Sequence, residues 1–255
     1  MRATSSELAV LLLALLTGSA GAQPAPVDPA GVPAAVHSAA PSPGPRLILV
    51  GDSTMAPRSG WGNALCERLQ QLACLNLARG GRSSKSYRAE GLWNTVLTLL
   101  SEKGAPQRNW VLIQFGHNDQ PGKPGRSTDL VSEFGPNLTG YVNEVRASGN
   151  EVLLLTPLTR RSFKDGQLVN DLRPWAEAVI RVGAETGVPV LDLNASSHAA
   201  VQALGQAGAD ALAEAPPRFD RTHLGPRGAA LFADQVLDAL LQLRPELAAA
   251  QTQRP

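Results

Sequence analysis

The chain has 255 residues, 23 basic against 22 acidic, and a formal charge of +1. That balance leaves no electrostatic footprint for nucleic acid or an anionic membrane surface, so neither is expected as a partner. Two cysteines and four histidines in no ligand-like spacing argue against a zinc site, and no metal or cofactor is expected.

Residues 1–22 read as an export leader: Arg2 opens it, 8–16 is an unbroken apolar stretch, and Ala20-Gly21-Ala22 offers a small-residue cleavage site. The stretch is too short to span a bilayer. No cysteine follows the cleavage site, which argues against a lipid anchor. The expectation is a periplasmic or extracellular product with no membrane attachment once the leader is removed. Residues 23–45 hold seven prolines among alanines and serines, the composition of an extended linker. Residues 46–243 suffice for one well-cored domain, expected to be monomeric, and 244–255 form a C-terminal tail.

Five apolar runs, 46–50, 73–77, 110–115, 151–156 and 188–193, read as strands buried on both faces. Helical periodicity is clearest between or after them, over 62–72, 130–148, 172–186 and 227–243. Strand alternating with helix implies crossover connections, hence an α/β domain with a five-stranded parallel sheet covered by helices on both faces. Cys66 falls on the first helix, which runs nearly to Cys74; eight helical residues rise about 12 Å, beyond bridging distance. A disulfide requires the chain to double back between them. The helical pattern favours two buried thiols instead.

Open α/β sheets place their chemistry beyond the carboxyl ends of the strands. The first strand ends in Gly51-Asp52-Ser53, the second leads to Gly80-Gly81-Arg82, and the third leads to Gly116-His117-Asn118-Asp119. A serine needs a base to take its proton, and histidine is the usual one. His37 lies in the linker, and His198 beside Ser196 and Ser197 reads as surface. Of His117 and His223, the second has Asp220 three residues before it. At that spacing in a helical turn the two share a face, so the carboxylate can take the Nδ1 proton and leave Nε2 for Ser53. An oxyanion formed by attack on an ester needs preorganised donors. The backbone N–H groups of Ser53 and Gly81 and the Asn118 amide are the candidates. Asp52 points away from its neighbour on an extended segment and is expected to brace the loop.

Gly51-Asp52-Ser53, Gly81, Gly116-His117-Asn118-Asp119 and Asp220-Arg221-Thr222-His223 resemble, in order and spacing, the four blocks of the SGNH (GDSL-type) hydrolases. The Thr54 variant of the first block and Gly81-Arg82-Ser83 resemble the rhamnogalacturonan acetylesterase branch more narrowly. The resemblance covers residue 46 to about 240. The chain departs from fungal members in its short 56–60 segment and in lacking paired cysteines near the C-terminus. It implies a flavodoxin-like three-layer α/β/α fold without metal. It also implies Ser53, His223 and Asp220 as the triad, with Ser53, Gly81 and Asn118 as oxyanion donors. The implied substrate is an O-acetylated plant cell-wall polysaccharide, pectic rhamnogalacturonan, cleaved through an acyl-enzyme. Such a substrate carries uronic acid, and arginine forks match carboxylates. Arg160 and Arg161 after the fourth strand, with Arg82 and Lys85 on the Gly81 loop, are therefore expected to hold it.

Two other readings compete. A lipase or thioesterase of the same superfamily would use the same triad, although the loops carry no long apolar lid. A non-catalytic carbohydrate-binding module would have no need of Ser53, Asp220 and His223 together.

Overall fold

The computed structural model describes residues 45–101 and 109–251. The expected leader, nearly all of the linker and the last four residues lie outside them. The strands are β1 (Arg46–Gly51), β2 (Ala73–Asn76), β3 (Trp110–Gln114), β4 (Glu151–Leu155), β5 (Phe163–Lys164), β6 (Gln167–Leu168) and β7 (Val190–Leu191). The helices are α1 (Gly62–Arg68), α2 (Ser86–Ala89), α3 (Leu92–Ser101), α4 (Gly135–Ala147), α5 (Arg173–Thr186), α6 (Leu193–Asp210) and α7 (Pro226–Leu243). A π-helical turn, Leu130–Phe134, opens α4, and a 3₁₀ helix, Pro245–Ala250, follows α7.

The main sheet is parallel throughout, in the order β2-β1-β3-β4-β7, with β5–β6 a separate antiparallel hairpin. This is the flavodoxin-like order of a doubly wound α/β fold. Alternate side chains along a strand face opposite ways, and the core divides accordingly. Leu47, Leu49, Leu112 and Leu153 meet Trp61 and Leu65 of the α1 segment and Phe232, Val236 and Leu240 of α7. Ile48, Val50, Val111 and Leu154 meet Trp93 of α3, Tyr141 and Val145 of α4, and Val179 and Val182 of α5. Each fully buried aliphatic contributes about 1.5–3 kcal/mol.

Three expectations are corrected. The first helix stops at Arg68 rather than Leu72. Leu69 N–H bonds back to Cys66 O and Leu72 N–H to Leu69 O, so the chain doubles back into β2. Cys66 and Cys74 then lie 5.3 Å apart at Cα and form a disulfide rather than two thiols. The fifth strand shrinks to Val190–Leu191, because Asp192 caps α6 by accepting from Ala195 N–H. His198 is half-buried beside exposed Ser196, whereas Ser197 is buried and its Oγ accepts from Thr159 N–H at 3.1 Å. Helices α3 and α6 carry no expectation from periodicity. Beyond residue 243 the tail is packed as far as Ala250, with Leu247 buried and Gln71 N–H bonded to Ala250 O.

Candidate active site

The site lies where the strand order reverses, between the carboxyl ends of β1 and β3, with the β2 loop alongside. After β1 the chain winds around Asp52, whose Oδ1 accepts from Thr54 N–H at 2.9 Å and Thr54 Oγ at 2.8 Å. This is an Asx-type turn. Gln114 fixes it from below, donating to Thr54 Oγ at 2.7 Å while its Oε1 accepts from Trp61 Nε1 at 3.0 Å. The loop's return is so close that a Cβ on Gly60 would lie 2.2 Å from the Thr54 carbonyl oxygen. Ser53 is thereby presented at the crevice, 8% exposed.

His223 comes from the segment between α6 and α7. Its Nε2 is 2.9 Å from Ser53 Oγ, and its Nδ1 is 2.8 Å from Asp220 Oδ2. Asp220 Oδ1 accepts from Thr222 and His223 N–H, each at 2.7 Å. Burial would raise the Asp220 carboxyl, but these N–H bonds, the ring bond and the His223 charge outweigh it and hold the carboxyl below the usual aspartate value. Leu224 N–H donates to Ser59 O at 2.9 Å, tying the His223 segment to the Ser53 loop.

Gly81 has φ +78°, a conformation side chains rarely adopt. The preceding glycine brings the loop against Ser53: a Cβ on Gly80 would lie 3.8 Å from Ser53 Cβ. Asn118 donates through Nδ2 to Arg82 O at 3.0 Å, which orients its amide and leaves one amide hydrogen unused. Asp119 ties the two loops together. Its Oδ1 accepts from Ser84 Oγ at 2.6 Å, Ser84 N–H at 3.1 Å and Thr128 Oγ at 3.2 Å. Burial pushes its carboxyl up to about 7, against those bonds and with help from the Asp52 charge.

Beneath Ser53, Asp52 braces the turn, as expected, and also faces His117, which is 2% exposed. His117 Nδ1 lies 3.3 Å from Asp52 Oδ2, within ion-pair range but off the line of a hydrogen bond. Burial would raise the Asp52 carboxyl, yet the His117 charge and the Thr54 bonds keep it below its usual value.

Of the four residues expected to hold substrate, one is placed otherwise. Arg161 is 0% exposed and cannot touch a ligand. Its guanidinium turns inward to the carbonyls of Asp220 (2.9 Å), His223 (2.6 Å) and Thr222 (3.4 Å). Arg82, Lys85 and Arg160 reach the surface but already pair with Glu90, Glu133 and Asp171. Lys123 and Arg126 went unnoticed in the sequence. Lys123 Nζ donates to His117 O, and Arg126 Nη1 donates to Gly81 O at 3.3 Å.

Sheet order and family together define the class: an ester hydrolase of the SGNH type. The profile of the GDSL-like Lipase/Acylhydrolase family matches residues 49–231, and the chain belongs to that family. Among its relatives is the rhamnogalacturonan acetylesterase RhgT of Bacillus subtilis, 30% identical over 78% of this chain and 90% of its own length. The probable rhamnogalacturonan acetylesterase YesY of the same organism is 32% identical over 60% of this chain and 72% of its own. Among solved structures, protein YxiM of B. subtilis superposes with a TM-score of 0.67 at 23% identity, over 78% of this chain and 57% of its own length.

Proposed function

We propose that the chain is an exported carbohydrate O-acetylesterase acting on acetylated rhamnogalacturonan. The observation that carries this reading is the unbroken hydrogen-bonded line from Ser53 Oγ through His223 to Asp220. His223 Nε2 takes the Ser53 proton as Oγ attacks the acetyl carbonyl carbon. The oxyanion meets the N–H groups of Ser53 and Gly81 and the free amide hydrogen of Asn118; such donors are worth roughly 10²–10³ each in turnover. The carbon–oxygen bond to the sugar then breaks, and His223 returns the proton to the sugar oxygen. Water attacks the acetyl-enzyme by the same route in reverse, releasing acetate. Asp220, held ionised, keeps the Nδ1–H tautomer and steadies the imidazolium. The names of the relatives RhgT and YesY support acetyl as the acyl group and pectic rhamnogalacturonan as the carrier.

The test measures acetate release from acetylated rhamnogalacturonan, xylan and chitin, alongside p-nitrophenyl esters of growing acyl length. Rhamnogalacturonan and the acetyl ester should be turned over best, and Ser53→Ala should abolish both. A folded Ser53→Ala protein with several per cent of wild-type turnover, or a preference for long acyl chains, would overturn the reading.

A further inference from the structure

Charged side chains around the crevice are nearly all matched. Arg82 pairs with Glu90, Lys85 with Glu133, Arg160 with Asp171 and Arg221 with Asp210. Lys123 and Arg126 differ: among the described residues neither has a carboxylate within ion-pair distance, and each bonds through its side chain only to a main-chain carbonyl. Both are half-buried, so water compensates them incompletely. Their loop is firmly wound. Lys123 N–H donates to Ser127 Oγ at 2.8 Å, Ser127 Oγ donates to Gln120 O at 2.8 Å, and Arg126 N–H donates to Lys123 O at 3.0 Å. Thr128 N–H then fastens it to Asp119 O at 2.9 Å. Burial, followed by the Arg160 and Arg126 charges, holds the Lys123 ammonium below the usual lysine value, so three cations share a small space.

The carbonyls these two cations touch belong to Gly81 and to His117, the residue before Asn118. They therefore stand beside the oxyanion donors, within reach of a substrate whose acetyl carbonyl rests there. Arginine has five donors in a planar fork and lysine three; one contact each leaves most of them unused. The Asp52 and Asp119 charges reach Lys123 only from a distance; an anion in direct contact is what Lys123 and Arg126 lack. We infer that Lys123 and Arg126 form a carboxylate subsite next to Ser53, taking the carboxylate of a uronic acid in the acetylated substrate. This rests on the O-acetylesterase reading above. It moves the recognition of acidity from Arg160 and Arg161 to the loop after β3.

The experiment compares kcat/KM on acetylated rhamnogalacturonan oligomers and on the same oligomers with their carboxyls reduced to alcohols. Wild type should prefer the acid by about ten- to a hundredfold, the range of charge-assisted hydrogen bonds, and the preference should shrink at high salt. Lys123→Gln/Arg126→Gln should bring the ratio near one. Arg126→Lys, which keeps the charge without the fork, should fall between and serves if the double variant misfolds. An unchanged ratio in the variants, or equal losses on both oligomers, would overturn the subsite. Wild type cleaving both oligomers equally would overturn it while leaving the esterase reading intact. Wild type cleaving neither would remove both.

Discussion

The segment that carries Asp220 and His223 belongs to no helix or strand, so its carbonyls have no ladder to bond to. Arg161 supplies the missing partners for three of them, while its own N–H bonds to Arg221 O at 2.8 Å. Burial pushes the guanidinium down to about 10, against the pull of Asp220 and Asp210, so it stays charged at neutral pH. Arg161→Met should therefore cost roughly 2–4 kcal/mol, because buried carbonyls lose a charged donor. It should also lower kcat at least tenfold as the base drifts from Ser53, with KM less affected. Urea melts and steady-state kinetics check both, and normal values for the variant would mean the segment is held by other contacts. Ser53, Asp220 and His223 were legible in the sequence because a strand end and an i, i+3 pair are local patterns. Arg161 was not, since its partners lie 59 to 62 residues away. An arginine after a strand reads the same whether it faces in or out.

Periodicity ran past the end of α1 for a physical reason. Leu65, Leu69 and Leu72 are all buried at helical spacing, but the last two pack from the turn that reverses the chain. Burial alone does not tell a helix from a compact turn, and the disulfide was missed with the turn. Helix α6 was illegible for the opposite reason. Its run of Ala, Ser and Gly lays down no apolar stripe, and Gly205, at φ 62°, interrupts it. The five strands and their alternation with helices were readable because buried parallel strands are continuous aliphatic runs. Closing a loop of this length with the Cys66–Cys74 bond contributes about 2–3 kcal/mol on the chain-entropy account. The Cys66→Ser/Cys74→Ser variant should lose that much in chemical denaturation while keeping wild-type kcat, the bond being at the opposite end of β2 from the Gly81 loop. A loss of turnover without a loss of stability would contradict this.

Three carboxylates shape the response of the whole molecule to pH. Asp52 and Asp220 sit below their usual 3.8 in the folded state. What they contribute is present above about 4 and is lost as pH falls through their folded values. Asp119 has the opposite sign. With its folded value at about 7, the native state keeps a proton that the unfolded chain gives up near 4. Stability therefore falls as pH rises from about 4 to 7 and levels off above that. For these three groups taken together, the maximum falls in mildly acidic solution. In Asp119→Asn, whose carbonyl can still accept from Ser84 and Thr128, the rising-pH penalty should disappear. The Tm of the variant relative to wild type should climb between pH 4 and 7 and then run flat. Parallel Tm curves would show that Asp119 ionises normally.

Ser53 follows the first strand, and His223 precedes the last long helix, 170 positions further on. Their meeting depends on contacts made late: Leu224 N–H onto Ser59 O, and the buried face of α7 against the α1 segment. A ribosome therefore releases Ser53, the proposed nucleophile, long before it has made His223, the proposed base. Throughout that interval Ser53 is an ordinary hydroxyl without a proton acceptor. On the proposed triad, the site is complete only once the segment before the final helix has been made and has docked. The same triad predicts that a chain truncated before His223 has no esterase activity.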